Sequence, residues 1–384
     1  MALLGVLAAF GLLVLLVWLF PEWFLEENPD YQRPYANLSL NVEFKISDGN
    51  MYDALPGRVR PPDEDTVLAA FTLTWDEGGF RAPHRTAAEY PIAVFGDSFT
   101  EGFNVAQPWP DVLDEIANVP VRNYGYRGYG PVEVARAVEE FGIMQPRRWV
   151  IYAYFAGNDL GDAVRTLQQD NSILGRLRRV FSPPAPPEDI GPIVSDHYDF
   201  PMPVIIGGNY YEMAFLHYYL YWNRAPAEGF PASRNFQVLV TSLDNIAATV
   251  PTETCLALVF IPTKEQLYYP YVHPDARQWL RGIGGRMALD DNGFLYLFDE
   301  PVAEESEAVF IDSLNDQREA VGNMLVERPA WHFIDLYPAF AEAVAAGELL
   351  YYPYDTHWNQ AGHVLAAQTI ADYLQNTADC FLAP

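Results

Sequence analysis

The chain has 384 residues, of which 50% are hydrophobic and 15% aromatic, so it can bury a large core and does not have the composition of a disordered protein. Its 23 basic and 51 acidic residues give a formal net charge of −28, which argues against binding to nucleic acid or to anionic lipid head groups. The charge fits a well-solvated acidic surface.

An uncharged apolar run, ALLGVLAAFGLLVLLVWLF, occupies residues 2–20. As a helix it would span roughly 28 Å, close to the hydrocarbon thickness of a bilayer. A cleaved signal peptide is the competing interpretation, but it has a basic start, a shorter apolar core and a small-residue cleavage site, and the run has none of these. We therefore predict a transmembrane anchor at residues 1–22, with the amino terminus inside and the rest of the chain outside the cytoplasmic membrane, periplasmic or at the cell surface.

Residues 23–90 predict a stalk and a small β-rich cap. The segment LSLNVEF at residues 38–44 alternates in the manner of a strand, and FTLTWDEGGFRAP predicts a strand, a turn and a short return. From residue 91 the pattern changes to strands that alternate with helices. We therefore predict a second unit over residues 91–384.

Five apolar segments of that second unit predict buried strands, namely PIAVFGDS, VRNYGY, RWVIYAYF, CLALVFIP and WHFIDLY. Helical patterns occur between and after them: WPDVLDEIANV, PVEVARAVEEFGIM, FQVLVTSLDNIAATV, EAVFIDSLNDQREAVGNMLV and VLAAQTIADYLQN. This alternation predicts an α/β fold with a parallel sheet covered on both faces. Ligands of such sheets bind at the carboxyl ends of the strands.

Residues 160–232 interrupt the alternation with a basic stretch, a proline-rich run and the aromatic cluster FLHYYLYW. The segment is too long for a simple connection, so we predict an insertion. It covers the active site or forms a surface excursion with its own small core. The aromatic cluster would then either stack on a sugar ring or belong to the core.

The two cysteines, Cys255 and Cys380, are too few for a disulfide framework and have no metal-binding spacing. Two interpretations stay open. In an oxidising compartment one bridge would tie the carboxyl-terminal tail to the domain, and otherwise both cysteines are reduced.

Two motifs at the strand ends carry chemistry. Ser98 follows the first predicted strand in the sequence GDSFTEG, and Asp355 and His357 precede the last helix in DTHWNQAGH. A histidine beside a serine acts as a general base, and an aspartate bonded to the imidazole holds its tautomer. Ser98 alone would also fit a helix cap, but its pairing with an Asp-x-His motif favours a catalytic triad.

An acyl-transfer serine also needs donors for the oxyanion. The loop NYGYRGYG follows the second strand and includes Gly128, and Asn158 follows the third strand. Each would also fit a simple turn. Because both follow strands of one parallel sheet, we expect them on the same rim as Ser98, where a backbone N–H, the Asn158 amide and the Ser98 N–H would form the oxyanion hole.

On these motifs the chain resembles the SGNH (GDSL-like) hydrolases, over roughly residues 78–160 and 255–378. GGFR and PTKEQLYYP also resemble a membrane-anchored bacterial branch of that family. The resemblance implies a flavodoxin-like three-layer α/β/α sandwich with about five parallel strands. It implies Ser98 as nucleophile, His357 as base and Asp355 as its partner, with Ser98, Gly128 and Asn158 as oxyanion donors.

The Asp-x-His spacing departs from the commoner family pattern, which has two residues between the acid and the base. The shorter form resembles the branch that O-acetylates exopolysaccharides, such as the alginate acetyltransferases. The resemblance thus implies a serine esterase or O-acyltransferase acting on acyl esters, O-acetyl groups of a glycan or a small molecule, with no metal or organic cofactor. The alternative is an accessory or structural subunit of a membrane protein complex, with a vestigial site.

Three further candidates are weaker. The DDNG sequence at residues 290–293 predicts a turn rather than a calcium loop, because the remaining ligands of such a loop are lacking. His363, at the start of the last helix, is predicted to be structural. Lys264, after the fourth strand, lies either near the site or on the surface.

Overall fold

A computed structural model describes residues 36–45, 67–168, 193–194, 200–224, 230–282, 286–298 and 306–377, with positions 11 and 380. Apart from position 11, the predicted anchor at residues 1–22 lies outside the described residues, as do the basic and proline-rich runs of the insertion. Among the helices that are described, none is both long enough and apolar enough to cross a membrane.

The described strands follow one another in chain order as β1 (Ser39–Lys45), β2 (Val67–Thr74), β3 (Ile92–Gly96), β4 (Val121–Gly125), β5 (Trp149–Phe155), β6 (Ile193–Val194), β7 (Phe200–Ile206), β8 (Asn209–Phe215), β9 (Cys255–Ile261), β10 (Arg286–Leu289), β11 (Leu295–Phe298) and β12 (Trp331–Asp335). The described α-helices are α1 (Ser98–Glu101), α2 (Trp109–Ala117), α3 (Pro131–Ala137), α4 (Asp159–Gln168), α5 (His217–Asn223), α6 (Arg234–Thr249), α7 (Lys264–Tyr268), α8 (Pro274–Gly282), α9 (Glu307–Ser313), α10 (Asp316–Val326), α11 (Tyr337–Ala345) and α12 (Gln360–Asn376).

A five-stranded parallel sheet forms the centre of the fold, in the order β12-β9-β5-β3-β4. Its strands coincide with the five apolar segments predicted from the sequence, so the parallel-sheet prediction is confirmed. Numbered along the chain, the five strands run 2-1-3-4-5, which is the flavodoxin-like order. The first strand, β3, therefore lies inside the sheet between β4 and β5.

Both faces of the sheet are buried, which is why its three central strands, β3, β5 and β9, carry no charged side chain, whereas the edge strands β4 and β12 include polar and charged residues. In β3, Ile92 and Val94 pack in a cluster with residues of α2, α11 and α12. The alternate residues Ala93 and Phe95 pack in a second cluster with residues of α3, α6 and α10. The predicted three-layer arrangement follows from this period-two division of the side chains.

The β-rich cap consists of the antiparallel pair β1 and β2, extended by a bridge between Trp75 and Arg81. The short strand β6, which comes from the 160–232 insertion, pairs in parallel with β1. The cap's small core includes Phe44 and also Phe103, which belongs to the loop after α1. The cap thus packs directly against the segment that follows Ser98.

The described part of the insertion forms the hairpin β7–β8 and the helix α5. Its aromatic cluster is mostly core, since Phe215, Tyr219 and Tyr221 are buried. The Ala214 N–H donates to the Pro353 carbonyl at 2.8 Å. The insertion therefore contacts the loop that carries Asp355.

The helical pattern over residues 307–326 forms two helices, α9 and α10, rather than one. The chain turns at Leu314, whose side chain is buried. Gln266 Nε2 donates to the Leu314 carbonyl at 2.9 Å, so a carbonyl released by the break is satisfied from another helix.

A disulfide joins Cys255, at the start of β9, to Cys380 beyond α12. The Trp149 indole N–H also donates to the Cys380 carbonyl at 3.1 Å. Of the two interpretations of the cysteines, the structure has the bridged one. The bridge ties the tail to the amino end of β9, whereas Ser98 lies at the carboxyl ends of the strands.

His363 should make the stability of the fold depend on pH. Its Nδ1 accepts the Trp109 N–H at 3.1 Å, and burial lowers its pKa from 6.5 to about 3, with smaller contributions from Arg81 and His357. The unfolded chain therefore binds a proton that the folded chain does not, and this contribution to stability is present above pH 6.5 and lost as the pH falls toward 3.

We expect wild-type protein to lose about 2 kcal/mol more unfolding free energy than His363→Gln between pH 7 and pH 5. Glutamine can still accept the Trp109 N–H but does not titrate. Urea unfolding of both proteins at the two pH values measures the difference. Equal losses would show that His363 takes up its proton in the folded state.

Candidate active site

Ser98 is the first residue of α1 and lies at the carboxyl end of β3. Asp97 caps the helix, with Oδ1 accepting the Phe99 N–H at 3.0 Å. A Cβ on Gly96 would lie 2.4 Å from Thr100 Oγ1, and one on Gly125 would lie 2.5 Å from the Glu101 nitrogen. The two glycines therefore allow α1 to sit directly against the strand ends.

The structure brings together the three residues proposed for the triad. His357 Nε2 lies 2.9 Å from Ser98 Oγ, and His357 Nδ1 lies 2.6 Å from Asp355 Oδ1. A carboxylate only accepts, so Nδ1 carries the proton and Nε2 is the acceptor that faces the serine hydroxyl. Ser98 and His357 are 259 positions apart in the chain.

The His357 imidazole is held by hydrogen bonds to Asp355 and by contacts with two phenylalanine rings. Asp355 Oδ1 also accepts the His357 backbone N–H at 2.8 Å, so one carboxylate oxygen bonds the main-chain nitrogen and the Nδ1 of the same residue. This explains how a spacing of one residue closes the acid–base contact. The rings of Phe99 and Phe103 lie 4.9 and 5.0 Å from the imidazole, which restricts its rotation.

Lys264 supports the loop that carries the acid. Its side chain is buried, and Nζ donates to the carbonyls of Asp355 at 2.9 Å, Pro353 at 3.3 Å and Tyr352 at 3.4 Å. Of the two interpretations made for Lys264, the structure thus has it near the site. The ammonium group thus bonds three carbonyls of one loop and ties that loop to the start of α7.

The two predicted oxyanion donors lie on either side of Ser98. Gly128 follows β4 and Asn158 follows β5, the two strands that flank β3. Gly128 has φ +78°, a left-handed conformation that glycine adopts without strain. Asn158 is half-buried, and its Oδ1 has no hydrogen-bond partner among the described residues.

Two buried carboxyl groups lie beneath this rim. Burial raises the pKa of Asp97 to about 7, although the Phe99 N–H and His357 oppose the shift. Burial, with Asp97 nearby, raises the pKa of Asp159 well above its ordinary value, and the Tyr152 hydroxyl donates to Asp159 Oδ2 at 2.6 Å. Both acids therefore favour the protonated form more than exposed aspartates do.

The remaining candidates are structural. Residues 290–293 form the turn between β10 and β11, where Asp290 Oδ1 accepts the N–H groups of Asn292 and Phe294. Within the described part of the chain, no cluster of three or more His, Cys, Asp or Glu side chains could hold a metal ion.

Arg81 is a buried residue near the site whose role the sequence did not indicate. Its guanidinium donates to the carbonyls of Gly102, Val105 and Ala106, which belong to the loop after α1. Burial lowers its pKa. The sequence contained a signal, since GGFR forms part of the family resemblance, but the motif alone did not say which carbonyls the arginine binds.

No protein-family model matches this chain, and the comparison with curated proteins finds no match. Among solved structures, the chain is similar to a lipolytic protein of the G-D-S-L family from Veillonella parvula, with a TM-score of 0.37 and 15% identity over 74% of this chain and 98% of that chain. It is also similar to a catalytic mutant of an acetylxylan esterase from Geobacillus stearothermophilus (TM-score 0.36, 12% identity, 75% of this chain and 95% of that chain). A third similarity is to a lipase/acylhydrolase from Enterococcus faecalis (TM-score 0.36, 12% identity, 75% and 96%).

Proposed function

We propose that this chain is an SGNH-type serine esterase that acts on acyl esters through an acyl-enzyme. The observation that carries the proposal is the continuous series of hydrogen bonds from Ser98 Oγ through His357 to Asp355, at the carboxyl ends of the strands of a parallel sheet. Substrates of open α/β sheets bind at these strand ends. Both catalytic contacts are within hydrogen-bond distance, and Ser98 is partly exposed.

In the proposed mechanism, Ser98 Oγ attacks the ester carbonyl while His357 Nε2 takes the hydroxyl proton. Asp355 stabilises the imidazolium that forms and holds its orientation. The Gly128 and Ser98 N–H groups, with the Asn158 amide, bind the oxyanion. The tetrahedral intermediate then collapses, its C–O bond to the alcohol breaks, and His357 returns the proton to that alcohol.

The acceptor in the second half-reaction distinguishes two activities. Water attacking the acyl-enzyme gives an esterase, and a sugar hydroxyl gives an O-acyltransferase. We propose O-acetyl esters of a glycan or small molecule as the substrate class. The proposed location is outside the cytoplasmic membrane, supported by the apolar run at residues 2–20 and by the disulfide, which persists in an oxidising compartment.

A fluorophosphonate probe tests the proposal directly. Ser98 Oγ should displace fluoride from phosphorus and keep the phosphonyl group, because the adduct mimics the tetrahedral intermediate. We expect mass spectrometry to map the adduct to Ser98 in wild-type protein, and the labelling rate to fall at least about 10³-fold in His357→Ala.

Two controls make the labelling result specific. Heat-denatured protein should not label, since an isolated serine hydroxyl is a weak nucleophile. His363→Gln, which changes a buried histidine outside the triad, should label at the wild-type rate. Folded wild-type protein that stays unlabelled would contradict the esterase proposal and favour the accessory-subunit hypothesis.

A further inference from the structure

We propose that Glu101 and Arg127 form a positioning pair that holds in place the turn carrying the Gly128 N–H. Glu101 is the last residue of α1, the helix that begins at Ser98, and Arg127 immediately precedes Gly128. The inference rests on the proposed function in that it takes Gly128 as an oxyanion donor. It assigns a role to an acid and a base that the proposed mechanism does not use.

The Glu101 carboxylate is completely buried and binds Arg127 three times. Oε2 accepts the Arg127 Nε–H and the Arg127 backbone N–H, both at 2.9 Å, and Oε1 accepts from Nη2 at 2.7 Å. The Trp75 indole N–H from the cap donates to Oε1 at 3.3 Å. Because Arg127 donates both its guanidinium and its backbone N–H to one carboxylate, Glu101 fixes the side chain and the main chain of Arg127 together.

The residue held in this way lies inside a tight turn. The Tyr129 N–H donates to the Tyr126 carbonyl at 3.1 Å, which makes Arg127 and Gly128 the two central residues. With φ +78° at Gly128, the turn has the signature of type II. Type I and type II turns differ by a flip of the central peptide, which here is the peptide that carries the Gly128 N–H.

Glu101 bonds the Arg127 side chain and the Arg127 N–H, which precede the peptide that flips, so the pair fixes where the turn lies, while the positive φ of Gly128 sets the direction of the proposed oxyanion donor. On its other side the turn is anchored by the Tyr126 N–H, which donates to the Gly96 carbonyl at 3.0 Å. The Arg127 guanidinium also lies over the Phe103 ring at 5.0 Å, and Phe103 contacts the His357 ring. The pair thus joins the helix that begins at Ser98 to the turn that carries Gly128, and Arg127 contacts a ring that packs against His357.

A second buried pair provides a matched control. Asp114 Oδ1 accepts from Arg85 Nη2 at 2.7 Å, with side-chain exposures of 2% and 38%, against 0% and 30% for Glu101 and Arg127. Asp114 Oδ2 also accepts the Val121 N–H at 2.9 Å. Val121 begins β4, so this pair lies at the amino ends of the strands, away from Ser98 at their carboxyl ends. The two ion pairs have the same N–O distance of 2.7 Å and a similarly buried acid, but only the Glu101–Arg127 pair includes a residue of the glycine turn.

The experiment compares Glu101→Gln with Asp114→Asn. With p-nitrophenyl acetate as probe, we expect Glu101→Gln to lower kcat about ten- to a hundredfold with KM within about twofold, since a small misplacement of a catalytic group costs that much. Asp114→Asn should keep kcat within about twofold. Arg127→Lys keeps the charge without the planar fork, so its kcat should fall between those of wild type and Glu101→Gln.

Amide hydrogen exchange of the peptide over residues 123–130 gives a readout that does not depend on activity. We expect faster exchange in Glu101→Gln, where the Arg127 N–H loses its carboxylate, and wild-type exchange in Asp114→Asn. Equal kcat and equal exchange in the two variants would overturn the pairing role. Wild-type protein inactive toward both the ester and the fluorophosphonate would contradict the proposed function, and exchange alone would then decide whether Glu101 holds the turn.

Discussion

Replacement of Ser98 by alanine should lower ester turnover by about 10⁵–10⁶-fold while leaving the fold intact. The loss is expected to be large because the residues of a triad act as one unit, so removing the nucleophile removes the acyl-enzyme route entirely. The fold should persist because Ser98 is partly exposed and the cap of its helix is Asp97. The measurement is kcat for p-nitrophenyl acetate beside a thermal unfolding curve.

The control for this variant is Ser98→Cys, which keeps a nucleophile of similar size at the same position. It should unfold at the same temperature as Ser98→Ala. It should also react faster with iodoacetamide than the Ser98→Cys/His357→Ala double variant, because an adjacent imidazole stabilises the thiolate. Ester turnover by Ser98→Ala within tenfold of the wild-type rate would mean that another group attacks the ester and that the assignment of the nucleophile is wrong.

Removal of the disulfide should lower the free energy of unfolding by about 3–5 kcal/mol without changing kcat. The bridge joins two residues 125 positions apart, and a cross-link that closes a long loop removes the most conformational entropy from the unfolded chain. Activity should persist because Cys255 begins β9, so the bridge lies at the amino end of that strand, away from the catalytic edge. The measurement is urea unfolding of the Cys255→Ser/Cys380→Ser variant.

Wild-type protein in excess dithiothreitol is the matched control, and it should unfold at the urea midpoint of the double-serine variant. Counting thiols in denatured, unreduced wild-type protein gives an independent check. Two reactive thiols per chain would contradict the bridge, and a midpoint unchanged by reduction would show that the tail is held by packing and by the Trp149 contact alone.

The sequence allowed prediction of the central sheet because its strands are short runs rich in apolar and aromatic residues that alternate along the chain with helical patterns. GDSFTEG follows a predicted strand and DTHWNQAGH precedes the last predicted helix, and the pairing of the two motifs, with the family resemblance, predicted Ser98, Asp355 and His357 as a triad. The contact between Ser98 and His357 could not be predicted in this way, because the loop that carries His357 comes after β12, and β9 and β5 lie between β12 and β3 in the sheet.

What local pattern could not predict depends on partners far along the chain. The break at Leu314 requires Gln266, 48 positions away, to satisfy a carbonyl, and an apolar helical period gives no sign of it. The burial of Lys264 depends on carbonyls about 90 positions later. Similarly, the third strand of the cap, Ile193–Val194, comes from within the insertion and has too few residues to show a period.

The order of the strands has a consequence for the way the chain acquires activity. The nucleophile follows the first strand of the sheet, and the acid and base enter only after the last strand, just before α12. A chain emerging from the ribosome therefore presents Ser98 long before His357 has been synthesised. On the proposed function, activity toward esters is the last property to appear, and we expect chains that terminate before residue 355 to lack it.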